Sequence, residues 1–185
     1  MAVRRRRPLI VFLGNVGADP MLSGSKVAAD MNRHMDFIGI DIKPYPKDAE
    51  KPGNLTQVRA EFSKGLDRIP NESADTISSQ MALGYYDKGG NLDWDDDKFR
   101  DRAIGYTSKV MDLAYKKLKP GGALSLTVDQ KQLPAVIKAI SQSSFKGSNP
   151  SMRELPPDDV ERTMWLANYN SFGKSIYEVT VKKPA

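Results

Sequence analysis

The sequence contains no cysteine, which excludes disulfides, thiolate metal sites and a cysteine nucleophile, and says nothing of the compartment. It has a single histidine, His34. That ring falls near the C-terminal end of a helix-compatible segment, where a charged imidazole suits the helix dipole, so a surface role is expected rather than catalysis. No run of about 18 apolar residues is present, so no membrane span is expected. The arginines Arg4 to Arg7 are followed by only five apolar residues, Leu9 to Leu13, before glycine intervenes. That is too short for a secretory signal, and a cytoplasmic location is expected. There is no internal repeat and no domain linker.

What charge there is has an uneven distribution. The formal net charge is +5 and the pI about 9.3. Arg4, Arg5, Arg6 and Arg7 account for four of those charges, leaving +1 for everything else. Residues 1–7 therefore read as a basic, flexible arm, either for nucleic acid or as a solubilising tail. Residues 8–185 are long enough to form one domain with a substantial core.

The stretch Pro8 to Asp41 organises the remainder. Leu9-Ile10-Val11-Phe12-Leu13 is apolar at every position, as in a strand buried on both faces of a parallel sheet. Gly14-Asn15-Val16-Gly17 follows, where glycine permits a tight turn and close approach to a ligand. A helix is expected within Ala18 to Met35, starting near Ser23 or Ser25 and burying Val27, Ala28 and Met31. A second strand, Phe37 to Ile42, carries Asp41 at its end. An acid placed there can accept hydrogen bonds from a ribose diol, its role in the nucleotide-binding βαβ unit.

Further strands are expected at Leu55 to Ala60, Thr76 to Leu83, Ala123 to Val128, Met152 to Leu155 and Ser175 to Lys182, the last strongly alternating. A short helix or turn is expected around Ser63 to Leu66, and helices from about Asp93 to Leu118 and from Leu133 to Ser141. A short helix is also expected between Pro156 and Leu166. Lys119-Pro120-Gly121-Gly122 reads as a helix stop. Asp93, Asp95, Asp96 and Asp97 lie at the positive end of the long helix's dipole; the run lacks the glycine and distal glutamate of a calcium loop, so no metal site is expected. The loop Gly84 to Gly90, with Tyr85, Tyr86 and Asp87, follows the fourth strand, where it either faces a ligand crevice or caps the core.

The order of these elements and several local segments resemble the class I S-adenosylmethionine-dependent methyltransferases. The segments are Leu118-Lys119-Pro120-Gly121-Gly122-Ala123-Leu124 before the fifth strand and Ile69 to Ser79 entering the fourth. The resemblance implies an α/β, Rossmann-like single domain with a mostly parallel seven-stranded sheet, an antiparallel last strand and helices on both faces. It implies S-adenosylmethionine as cofactor, with Gly14, Asn15, Val16 and Gly17 at its methionine end and Asp41 on the ribose hydroxyls. Ile42 would pack on the adenine face, Glu61 would meet the adenine amino group, and Gln80 would sit beside the transferred methyl. Phe12 stands where the family usually has an acid, and the glycine loop holds fewer glycines than is usual.

Within that resemblance the acceptor is narrowed by elimination. Ser79-Gln80-Met81-Ala82 replaces the Asn-Pro-Pro-Tyr type of motif used for amino methylation of bases, and the lack of cysteine excludes methylation at cytosine carbon-5. Gln80 and Thr127 occupy the aspartate and second lysine positions of a ribose 2′-O-methyltransferase tetrad, which removes the group that would deprotonate a hydroxyl. A base would have to come from Asp87, Asp129 or the substrate. Three readings follow: a methyltransferase acting on RNA gripped by Arg4 to Arg7, one acting on a small molecule, and a noncatalytic RNA- or protein-binding module on the same fold. A nicotinamide oxidoreductase would need Gly-x-Gly-x-x-Gly after the first strand, which Gly14, Val16 and Asp19 do not provide. The oligomeric state is not addressed by the sequence.

Overall fold

Alternating side chains decide how this chain layers itself. The computed structural model describes residues 7–14, 24–43, 45, 50–80, 82–83, 96–159 and 175–185. Its elements are β1 (Leu9–Leu13), α1 (Gly24–Met31), β2 (Asp36–Asp41), β3 (Leu55–Arg59), α2 (Phe62–Leu66), β4 (Ala74–Gln80), α3 (Asp97–Lys117), β5 (Leu118–Asp129), α4 (Leu133–Gln142), β6 (Ser151–Glu154) and β7 (Ile176–Lys182). The strands form one seven-stranded sheet in the order β3-β2-β1-β4-β5-β7-β6. Strands β3 to β5 pair in parallel, and β7 runs antiparallel to both of its neighbours. This is the sheet expected from the sequence.

Val11 and Leu13 of β1, Ile40 of β2, Ile77 of β4, Leu124, Leu126 and Val128 of β5, and Val179 and Val181 of β7 share one face. They pack there with Phe62 and Leu66 of α2, Phe99, Val110 and Met111 of α3, and Val136 and Ile140 of α4. The opposite face carries a smaller cluster of Phe12, Phe37, Leu55 and Ala29, which α1 covers. The Phe12 and Phe37 rings stack there with centroids 6.2 Å apart. Register places Thr76 and Ser78 of β4, Ser125 and Thr127 of β5, and Glu178 and Thr180 of β7 on this second face. Those strands are therefore apolar on one side only.

One local reading needs correction. In α1 the buried residues are Ser25 and Ala29, with Ala28 partly buried, while Val27 is 43% and Met31 78% exposed. The two phenylalanine rings already fill the space above β1 and β2, so only the narrow stripe of small side chains lets the helix come close. Lys119 to Gly122 does follow the end of a helix, as its helix-stop reading has it, and these residues already belong to β5. Helix α3 ends at Lys117 and Leu118 is already extended and paired with Ala74, after which four residues bulge out before Ala123 pairs with Thr76. Gly121, at φ +78°, makes that excursion possible. Lys119 Nζ lies 2.7 Å from Asp75 Oδ2, and the same oxygen accepts the Leu9 N–H at 2.8 Å, so one carboxylate ties the bulge to the start of β1.

Asp96 and Asp97, at the start of α3, act on the helix itself. Asp96 is the N-cap, its Oδ1 accepting the Lys98 N–H at 2.8 Å, and Asp97 pairs with Arg100 in the first turn. No helix of the described residues is long and apolar enough to cross a membrane. Most of the short helix expected between Pro156 and Leu166 lies outside the described residues.

Candidate functional site at the carboxyl edge of the sheet

In a parallel sheet the strand ends that carry carboxyl groups converge on one edge, where ligands bind at the point of strand reversal. Here the order reverses between β1 and β4. Phe12 is in register with Gly39 of β2 and Ser78 of β4. Two residues further along each strand, on the same face, stand Gly14, Asp41 and Gln80. Three of the candidate residues thus come level with one another at the reversal point.

Gly14 has φ +81°, and a Cβ added there would stand 2.5 Å from the Ala82 Cβ. Its N–H donates to the Ile40 carbonyl at 2.8 Å. Both the backbone conformation and the lack of room restrict this position to glycine, and the close approach joins the exit of β1 to that of β4. Asn15, Val16 and Gly17, and with them the rest of the glycine turn, lie outside the described residues, as does Asp87.

Asp41 is half-buried at the end of β2. Its Oδ1 accepts the Lys43 N–H at 2.9 Å and its carbonyl accepts the Ala60 N–H at 3.0 Å. Ile42 follows, an apolar side chain 45% exposed. Glu61 occupies the N-cap position of α2 with extended backbone, yet its carboxylate makes no capping bond. An acid beside a helix start that does not cap it has its oxygens available to a ligand.

Two residues that sequence reasoning passed over hold this edge in place. Gln57 of β3 accepts the Tyr45 N–H at 3.1 Å and donates to the Lys43 carbonyl at 3.3 Å, and Arg59 Nε donates to the Ile42 carbonyl at 3.2 Å. Together they clamp the segment after β2 that carries Ile42. Leu55-Thr56-Gln57-Val58-Arg59 has no alternation or motif that singles them out.

The ends of β4 and β5 form the other half of the edge. Gln80 is in register with Thr127, and Asp129 lies two residues beyond on the same face. Asp129 is 1% exposed, and its Oδ1 accepts the N–H groups of Lys131 at 2.6 Å and Gln132 at 3.1 Å. That oxygen holds the turn into α4. Gln132 was also missed: fully buried, it donates Nε2 to the Leu83 carbonyl at 2.6 Å, tying the exit of β4 to that of β5. Its Oε1 is buried without a hydrogen-bond partner among the described residues, leaving an acceptor for a donor at this edge. A groove of about 630 Å³ opens between the first turns of α3 and α4, with Arg100, Lys131 and Lys138 facing Asp97 and Asp101.

The sequence matches no family model and no curated protein. Many solved structures share its fold. A mutant 16S rRNA (adenine(1408)-N(1))-methyltransferase from Catenulisporales acidiphilia, solved with its cosubstrate SAM, superposes with a TM-score of 0.61 at 14% identity, over 96% of this chain and 86% of that one. A precorrin-6y C5,15-methyltransferase from Geobacter metallireducens gives 0.59 at 18% identity, over 97% and 84%. The N-methyltransferase NodS from Bradyrhizobium japonicum, in complex with S-adenosyl-L-homocysteine, gives 0.59 at 11% identity, over 96% and 79%. The chain has the class I methyltransferase fold.

Proposed function

We propose that the protein transfers a methyl group from S-adenosylmethionine by direct displacement, with RNA as the acceptor. The observation that carries this reading is the meeting of Gly14, Asp41, Glu61 and Gln80 at the carboxyl edge of a sheet with this strand order. The residues present fit the cofactor. Asp41 would take the ribose hydroxyls, exposed Ile42 one face of the adenine, Glu61 with its uncommitted carboxylate the adenine amino group, and the backbone after Gly14 the methionine end. The sulfonium supplies its own leaving group, so the chain has mainly to bind and align. Gln80, level with Gly14, would border the transferred methyl and orient the acceptor by hydrogen bonding.

RNA is favoured by the concentration of positive charge in Arg4 to Arg7, and one of the structures sharing the fold is an rRNA methyltransferase. A small-molecule acceptor is the nearest alternative. A noncatalytic module is favoured by one observation: Gln80 and Thr127 stand in register where a deprotonating pair would be, and Asp129 Oδ1 is committed to its turn. Titration calorimetry with S-adenosylmethionine and S-adenosylhomocysteine separates the two methyltransferase readings from the noncatalytic one. Binding in the micromolar range, lost in a folded Asp41→Ala variant, is expected. A folded wild-type protein that binds neither compound would leave only the noncatalytic module.

A further inference from the structure

Ile42, Lys43 and Tyr45, which follow β2, belong to no helix or strand, yet side chains hold their backbone at four places. Arg59 Nε donates to the Ile42 carbonyl at 3.2 Å, and Gln57 Nε2 to the Lys43 carbonyl at 3.3 Å. Asp41 Oδ1 accepts the Lys43 N–H at 2.9 Å, and Gln57 Oε1 accepts the Tyr45 N–H at 3.1 Å. The Tyr45 hydroxyl in turn donates to the Glu50 carbonyl at 3.1 Å. Gln57 and Arg59 are two residues apart in β3, so both side chains leave the sheet on one face, and Asp41 stands in register with Arg59 on that same face.

What this arrangement presents is Ile42, an apolar side chain left 45% exposed. Folding gains little from fixing an apolar group in water, because burial is what makes such a group stabilising. Fixing the backbone beneath it also opposes folding through lost conformational entropy. The arrangement gains its value when a flat apolar ring lands on Ile42, since the segment is then already ordered and binding need not order it. The neighbours define that ring. Asp41 immediately precedes Ile42, and Glu61, two residues beyond Arg59, keeps its carboxylate out of the cap it stands beside. Two carboxylates on either side of an apolar shelf suit a ring with an exocyclic amino group that is joined to a vicinal diol, as in adenosine.

We infer that Gln57 and Arg59 are positioning residues for the adenosine half of the cofactor: by holding the Ile42 and Lys43 carbonyls and the Tyr45 N–H, they set Ile42 in place for adenine to pack on. The inference rests on the reading of S-adenosylmethionine as cofactor and adds to it how affinity is divided along the ligand. Both residues lie on the edge strand β3, two strands from β1 and so about 10 Å from its exit at the usual strand spacing. They act on the adenosine half and not on the methyl group. Their contribution therefore goes alike to every ligand that contains adenosine, with or without the methionine chain.

The test uses the full-length protein and calorimetry with S-adenosylmethionine and S-adenosylhomocysteine, and with adenosine measured by displacement of the latter. Gln57→Ala and Arg59→Ala should each weaken all three ligands by the same factor, about two- to tenfold, which is what one or two net hydrogen bonds carry. Arg59→Lys keeps a donor within reach of the Ile42 carbonyl and should recover part of the loss. The control is Asp75→Ala, which removes bonds at the amino edge and lowers stability there; its three affinities should match wild type. Urea midpoints measured alongside keep a loss of binding apart from a loss of folded protein. Three results would overturn the inference: wild-type affinities in both folded clamp variants, weaker S-adenosylmethionine binding with adenosine unchanged, or an equal loss in Asp75→Ala. A folded wild-type protein that binds none of the three ligands would overturn the cofactor reading and this inference with it, an outcome that the wild type alone reveals.

Discussion

Glycines at different places in this chain answer to different physics. At Gly14 the backbone is left-handed and a methyl group would overlap Ala82, so Gly14→Ala has both a conformational and a steric penalty. It should lower the unfolding free energy by about 1–3 kcal/mol. Gly105 lies exposed in the middle of α3, with nothing within 4 Å of an added Cβ. There Gly105→Ala should stabilise by about 0.5–1 kcal/mol, because alanine has less backbone freedom to lose. Urea denaturation of both variants checks the pair, and opposite shifts in midpoint are expected. The acids differ in the same way. Asp96 spends its carboxylate on capping α3, and Asp129 one oxygen on a turn, whereas the Glu61 carboxylate is left out of the cap it stands beside.

At the scale of elements, the segments that resemble the methyltransferase family around β4 and β5 turn out to serve the sheet. Asp75 accepts the Leu9 N–H and binds Lys119 with both oxygens, and so joins β1, β4 and the bulge that opens β5. Lys183 reinforces the same place, donating to the Leu118 carbonyl at 2.9 Å and lying over the Tyr115 ring. Asp75→Ala leaves a backbone donor and an ammonium without their acceptor. It should destabilise by about 1–3 kcal/mol, towards the lower end since the pair is part-exposed. Thermal unfolding followed by circular dichroism measures this, and cofactor affinity at the opposite edge should be unchanged.

The whole molecule is unequal on its two sides. Helices α2, α3 and α4 share the larger cluster, while α1 is held by Ala29 against Phe12, Phe37 and Leu55, with Asn54 fastening its end. Native-state hydrogen exchange should therefore show α1 opening at a lower free energy than α3 and β5, whose slowest amides should report global unfolding. Equal protection of α1 and α3 would contradict this. The same asymmetry separates tasks along the strands: the carboxyl edge gathers Gly14, Asp41 and Glu61, and the amino edge gathers the bonds of Asp75 and Lys183.

Sequence periodicity by itself determined which segments became strands and helices. A run apolar at every position must be buried on both faces, and a strictly alternating one on a single face. It also located Gly14 and Asp41 at element ends, because glycine and acid at the close of an apolar run have few other physical uses, whereas Glu61 was singled out by the family resemblance. Only the tertiary structure decided which stripe of α1 faced inward, since that depended on the volume of Phe12 and Phe37 beneath it. It decided too that Lys119 to Gly122 would bulge within a strand, because Asp75 and Lys183 lay across the sheet to hold it. The clamps made by Gln57, Arg59 and Gln132 join residues far apart in the chain. Local spacing carries no record of such contacts, and packing alone created them.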